Sequence, residues 1–182
     1  MLLPLTLPDA LDPADCDRLR ADLARAPRRD GRLVGAQAAP DIRRADLVWI
    51  DDLPEAGWVM AAMVRLFTRA NRHFGFDLTD FAESAQAARY GQDRRGHFDR
   101  HSDIGAGALA QRRKLTAVVQ LSDPGDYQGG ALEVWPDSHP RPAPRDKGSA
   151  LVFPSFALHR VTPVTAGERW SLTLWAHGPA FR

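Results

Sequence analysis

Apolar residues recur at three- and four-residue steps twice in the first 80 positions. Cys16, Leu19, Leu23 and Ala26 form the first series, opened by Asp12 and Pro13 and closed by Pro27 and Gly31. An acidic N-cap followed by proline is a helix-start signature, so the spacing predicts a short amphipathic helix. The second series, from Trp58 to Phe74, contains Val59, Met60, Met63, Val64, Phe67 and Ala70 between Gly57 and Gly75. It predicts a longer helix whose Met and Phe stripe packs into a core. Between the two, residues 45–50 are rich in β-formers and predict a strand.

Beyond residue 80 the period shortens. Runs at 85–90, 97–103, 115–121, 131–135, 150–153, 158–161 and 170–175 are separated by Gly, Pro, Asp and Ser clusters. Such short strands at regular spacing, with no helix between them, predict a sandwich or barrel rather than a parallel α/β fold. Residues 136–144 read as a proline-stiffened surface loop, and 163–167 as a turn. The expected architecture is one domain over 1–182, mainly β with N-terminal helices: a helical support region at 1–80 and a β core at 81–178.

Composition narrows the chemistry. Of 182 residues 44% are hydrophobic, enough for one domain that needs no metal or disulfide merely to fold. A single Cys, Cys16, rules out an internal disulfide and a thiolate zinc cluster and makes a reducing cytoplasm the expected compartment. Any metal must be held by His and carboxylates. The balance of 24 Lys+Arg against 23 Asp+Glu argues against a nucleic-acid coat. Only Lys114 and Lys147 are lysines, so the positive charge is nearly all guanidinium. The first seven residues lack the basic start of a signal peptide, and no apolar run is long enough to span a bilayer. No signal bears on oligomeric state.

Two segments carry the chemistry. His101 and Asp103, two apart on a strand, present an imidazole and a carboxylate to one point. His159 sits in an apolar strand, and Arg169 opens the strand after it. Two histidines and one carboxylate from distant strands form the facial triad of non-haem Fe(II) oxygenases, whose open positions admit cosubstrate and oxygen. If consecutive strands lie in opposite sheets, Arg169 faces His159 across the cavity, where a guanidinium could grip the far carboxylate of a metal-chelating dicarboxylate.

The stretch from about 85 to 178 resembles the 2-oxoglutarate and Fe(II)-dependent dioxygenases, specifically the prolyl-4-hydroxylase-like branch and its bacterial PKHD-type members. The resemblance rests on Arg89-Tyr90-Gly91, Gly96-x-Phe98-x-x-His101-x-Asp103, the segment 121–133 ending in Gly129-Gly130-Ala131-Leu132-Glu133, Phe153-Pro154-Ser155, His159 with the residues to Val164, and Gly167-Glu168-Arg169-Trp170-Ser171. It implies a double-stranded β-helix, a cupin-like jelly-roll barrel braced by about two helices. It also implies that His101, Asp103 and His159 are the catalytic metal ligands for Fe(II). Arg169 would pair with the 5-carboxylate of 2-oxoglutarate, and Tyr90 and Ser171 would hydrogen-bond the same cosubstrate. The implied reaction consumes O2 and 2-oxoglutarate, releases succinate and CO2, and hydroxylates an amino-acid side chain, peptidyl or free, with ascorbate as an expected stimulant.

His97-Phe98-Asp99 is an overlapping His-x-Asp, but the Gly-x-aromatic-x-x-His-x-Asp frame fits only His101 and Asp103. His73, His139 and His177 read as structural or surface histidines. Asp103 disfavours halogenation, which needs a small residue there. The arginines Arg94, Arg95, Arg100, Arg112 and Arg113 read as solvated surface groups, the functional alternative being a rim for an anionic substrate. Trp135 and Phe156 read as core aromatics with pocket lining as the alternative, and substrate choice is expected from loops 105–113 and 136–147. Two other functions compete: a non-catalytic jelly-roll metal- or ligand-binding protein, disfavoured by the Tyr90, Arg169 and Ser171 set, and an oxidative demethylase, whose Arg-rich signature is missing.

Overall fold

The Asp12 backbone is still extended (φ −64°, ψ 138°) and its carboxylate accepts from the Ala14 amide at 2.8 Å, so helix α1 (Pro13–Arg25) starts where its first orphan donor is satisfied. Helix α2 (Gly57–Phe74) ends on Gly75, whose φ of 68° lets its amide turn back to the Asn71 carbonyl. These are elements of a computed structural model that describes residues 2–31 and 41–181.

The strands follow in chain order: β1 (Leu5–Leu7), β2 (Arg29–Asp30), β3 (Arg43–Arg44), β4 (Asp46–Trp49), β5 (Gln86–Gly91), β6 (His97–His101) and β7 (Arg113–Gln120). Then come β8 (Tyr127–Gly129), β9 (Leu132–Trp135), β10 (Arg141–Pro142), β11 (Ala150–Pro154), β12 (Leu158–Val161) and β13 (Val164–His177). They build two antiparallel sheets. The larger has eight strands in the order β1-β11-β7-β13-β5-β4-β2, with β8 on the first part of β13; the smaller has five, β10-β9-β12-β6-β3. This is the mainly β jelly roll with N-terminal helices that the sequence predicts.

Alternation along the strands of the larger sheet divides its side chains between two cores. Trp170, Leu172, Leu174 and Ala176 of β13, with Ala117 and Val119 of β7, face the helices and pack with Leu19, Leu23, Met63 and Phe67. The intervening Arg169, Ser171, Thr173 and Trp175, with Tyr90 of β5 and Thr116 and Val118 of β7, line a cavity between the sheets. The helices therefore seal the outer face of the large sheet and leave its inner face for chemistry. The first 80 residues also complete both sheets, because β4 extends β5, β1 extends β11 and β3 extends β6.

Two expectations need correction. Residues 163–167 are not a free turn. β13 already begins at Val164 and pairs there with β8, with a register shift between Val164 and Ala166. Gly167, at φ 68°, passes so close to the Asp126 carbonyl that a Cβ would lie 1.9 Å from its oxygen, and only glycine permits that pairing. The segment 136–144 is likewise not only a loop, since β10 folds back on β9 with Pro142 at the sheet edge.

Candidate metal centre and its cavity

β6 and β12 are antiparallel neighbours with His101 opposite His159 and a register shift between His159 and Val161. Their rings lie 4.2 Å apart. Asp103 follows the end of β6, and its amide donates to the Ser155 carbonyl at 2.9 Å, which turns the chain so that the carboxylate joins the two imidazoles. Asp103 Oδ1 is 3.6 Å from His101 Nε2, and Oδ2 is 3.5 Å from His159 Nε2. One ligand atom from each residue falls within 4.8 Å of the others.

Each histidine is oriented by its own backbone neighbourhood. His101 Nδ1 is 2.7 Å from the Asp99 carbonyl and His159 Nδ1 is 3.0 Å from that of Ala157. A carbonyl only accepts, so Nδ1 carries the proton in both rings and the Nε2 lone pairs converge on Asp103. Thr116 donates its hydroxyl to Asp103 Oδ2 at 2.7 Å and sits 3.0 Å from the Ser155 hydroxyl. Phe98 stacks on His101 at 3.6 Å and Phe153 tilts against His159 at 4.9 Å.

Burial would push the Asp103 carboxyl up, but the His159 and His101 imidazoles and the Thr116 hydroxyl outweigh it and hold the acid below the usual carboxylate range. Burial pushes His159 down, against the pull of Asp103, so its ring is held neutral. An ionised Asp103 carboxylate beside a neutral His159 ring suits metal ligation, which needs deprotonated ligands.

Arg169 is 1% exposed. Its Nε donates to Gln120 Oε1 at 3.1 Å, while Nη1 and Nη2 are buried without a partner. Its guanidinium carbon lies 5.5 Å from the Tyr90 ring centroid, and Ser171 lines the same cavity. A buried guanidinium with two unmet donors is costly unless an anion completes it. Burial accordingly depresses its pKa. The cavity occupies about 1190 Å³ and reaches from Arg169 past the His-Asp-His cluster to solvent, which exceeds what one small dicarboxylate fills.

Other sequence expectations divide. His97 points away, its ring nitrogens against the carbonyls of Arg95 and Asp41. His177 is fully buried, its Nε2 donating to Glu83 Oε2 at 2.9 Å and its Nδ1 accepting from the Ala82 amide. Among the arginines, Arg94 pairs with Asp30 and Asp46, and Arg112 with Asp80. Arg113 is not a surface group: it is 9% exposed, holds Glu83 through two nitrogens, donates to the Asp103 carbonyl at 3.0 Å and lies over Trp175 at 4.0 Å. Residues 105–107 and Ala110 line the cavity as expected. None of residues 136–147 does; Arg29, Ile42 and Arg43 take that place. Trp135 lies beneath Arg100 and Arg160, and Phe156 packs on Phe181, both outside the cavity.

Sequence reasoning assigned no role to Thr116, Ser155 or Gln120 and placed Arg113 at the surface or on an anion-binding rim. Three of them are polar residues inside the apolar run of β7 or at its start, and Thr116 and Gln120 share the face of Val118. A polar residue at every second or fourth position of a buried strand was the available signal.

Residues 85–177 match the family model described as the 2OG-Fe(II) oxygenase superfamily. A PKHD-type hydroxylase of Xanthomonas axonopodis pv. citri is 34% identical over 97% of this chain and 78% of its own length. One from Thioalkalivibrio sulfidiphilus is 29% identical over 91% and 74%. Among solved structures, a prolyl-4-hydroxylase of Pseudomonas putida superposes with a TM-score of 0.76 at 26% identity, covering 99% of this chain and 95% of that one. A prolyl hydroxylase of Trichoplax adhaerens, in complex with a peptide fragment of hypoxia inducible factor, gives 0.79 at 19%, covering 96% and 83%.

Proposed function

The chain belongs to the 2OG-Fe(II) oxygenase superfamily, whose members use Fe(II), 2-oxoglutarate and O2, and on that premise we propose that it hydroxylates an amino-acid side chain, with His101, Asp103 and His159 as the iron ligands. The donor set fits the metal: two imidazoles and one carboxylate, with ligand atoms within 4.8 Å of one another, are the ligand types of a facial triad, which would leave positions for cosubstrate and oxygen. When bound, Fe(II) and 2-oxoglutarate supply the oxidation, in which O2 converts 2-oxoglutarate to succinate and CO2 and delivers one oxygen atom to a C–H bond.

The residues of the chain do the positioning. Arg169 takes the 5-carboxylate of 2-oxoglutarate on Nη1 and Nη2, while Gln120 fixes its Nε. Tyr90 and Ser171, on the same cavity wall, hydrogen-bond that cosubstrate. Thr116 and the Asp99 and Ala157 carbonyls hold the three ligands in orientation before iron arrives. Phe98 and Phe153 shield the two imidazoles from water.

One observation carries this reading: the buried Arg169 fork, unmet at both Nη atoms, shares a cavity with the His-Asp-His cluster. A protein that merely bound a metal would have no use for it. The similar prolyl hydroxylase with a bound peptide supports an amino-acid side chain as the target. Anaerobic addition of Fe(II) and 2-oxoglutarate should produce the visible charge-transfer band of the chelate. A well-folded protein that gives no band would refute the assignment.

A further inference from the structure

Every buried side-chain polar atom left without a partner among the described residues is a donor: Arg43 Nε, Trp58 Nε1, Arg169 Nη1 and Nη2, and Trp175 Nε1. All but Trp58 belong to residues lining the cavity of the His-Asp-His cluster. A cavity short only of acceptors is built for oxygen-rich, anionic ligands. 2-Oxoglutarate, held by Arg169, accounts for the deep pair. Arg43 and Trp175 remain, and they call for a second molecule.

Arg43 stands at the other end of the site. It lies on β3 opposite Phe98 of β6, with its guanidinium carbon 4.6 Å from the Phe98 ring centroid, and Phe98 in turn stacks on His101 at 3.6 Å. Its Nη2 donates across the mouth to Gln86 Oε1 on the large sheet at 2.9 Å, a neutral partner. Every carboxylate on the cavity wall is engaged elsewhere: Asp30 with Arg94, Glu83 with Arg113 and His177, and Asp103 within the metal cluster. Arg100, two positions beyond Phe98, also lines the mouth and lies over Trp135 rather than beside an acid. Among the described residues no carboxylate pairs with the Arg43 or Arg100 guanidinium, and Arg43 stands one aromatic ring away from a metal ligand.

Resting on the oxygenase reading above, we propose that the primary substrate is a carboxylic acid and that Arg43 is its carboxylate-binding residue, with Arg100 adding to the field at the entrance. The planar fork suits a carboxylate. Tethering the acid there would hold the rest of the molecule at the mouth of the cavity that His101 lines, with Phe98 between the guanidinium and that ring. The carboxylate can come from a free amino acid or from the C-terminus or acidic side chain of a peptide.

The test uses the protein loaded anaerobically with Fe(II) and 2-oxoglutarate, with the charge-transfer band as proof of loading. Binding of the free L-amino acids, their α-carboxamides, and short N-acetylated peptides with acidic or neutral residues is read by calorimetry and by perturbation of the band. Acids should bind, and the matched carboxamides should bind roughly tenfold to a hundredfold more weakly. Selectivity for free acids identifies a small-molecule substrate; selectivity confined to acidic peptides identifies a peptidyl one. Arg43→Gln should keep the band and lose the acid preference, and the acid-against-amide comparison in the unaltered protein stands even if that variant misfolds. A band without acid-selective binding anywhere in the panel, or a preference that survives in Arg43→Gln, overturns the proposal. Absence of the band itself counts against the oxygenase reading instead.

Discussion

Thr116 and Asp103 are joined across the two sheets, the hydroxyl donating to carboxylate Oδ2 at 2.7 Å from a position of zero exposure. That bond turns the carboxylate toward both imidazoles before any ion is present. Thr116→Val keeps the shape and removes the donor, so Fe(II) affinity should fall by roughly 10- to 100-fold. Thr116→Ser should restore most of it. An unchanged iron titration in Thr116→Val would show that Asp103 needs no such support.

His101 and His97 make a paired experiment, since both belong to His-x-Asp steps. His101 offers Nε2 to the cluster, whereas His97 spends its ring nitrogens near the carbonyls of Arg95 and Asp41. His101→Ala should abolish iron-dependent decarboxylation of 2-oxoglutarate. His97→Ala should lower it slightly, with a stability cost of about 1 kcal/mol for the lost backbone contacts. The reverse pattern would reassign the ligand.

Arg169→Ala should separate the two ligands of the site. Losing both charge-assisted bonds to the cosubstrate carboxylate should weaken 2-oxoglutarate by about 2 to 4 kcal/mol, roughly 30- to 1000-fold. Iron affinity, set by the cluster rather than by Arg169, should stay within about a factor of three. Arg169→Lys keeps the charge without the fork and should fall between. Equal losses in iron and 2-oxoglutarate binding would mean that the substitution had collapsed the cavity.

Much of this was legible in the sequence because local periodicity and the site coincide. The stripe of Leu19, Leu23, Met63 and Phe67 announced the helices, and the Gly-x-aromatic-x-x-His-x-Asp frame picked His101 and Asp103 from two overlapping His-x-Asp steps. What escaped notice depends on pairing between distant segments. β8 hides in Tyr127-Gln128-Gly129, which reads as a loop until Val164–Gly167 lies against it. Arg113 looks like any arginine near a turn, and only the fold brings Glu83 and Trp175 to it. Arg43 was invisible for the same reason: its partners, Phe98 and Gln86, come from opposite sheets.

Glu83 makes the acid stability of the fold measurable. Burial alone would raise its carboxyl, but Arg113 and His177 reverse this and lower it from an ordinary 4.5 to about 2. A carboxylate with a depressed folded value stabilises the protein above its unfolded value and loses that contribution as pH falls through the folded one. The difference corresponds to on the order of 3 kcal/mol, present in full at neutral pH and fading between about pH 4.5 and 2. Glu83→Gln should therefore lower the unfolding free energy of the metal-free protein by about that amount at pH 7, because Arg113 is left buried without its counter-ion. Urea unfolding of both proteins at several pH values should show the gap narrowing as pH drops below 4.5. A gap that stays constant down to pH 3 would mean that Glu83 contributes by shape and hydrogen bonding, and that its charge is not what holds Arg113 behind Asp103.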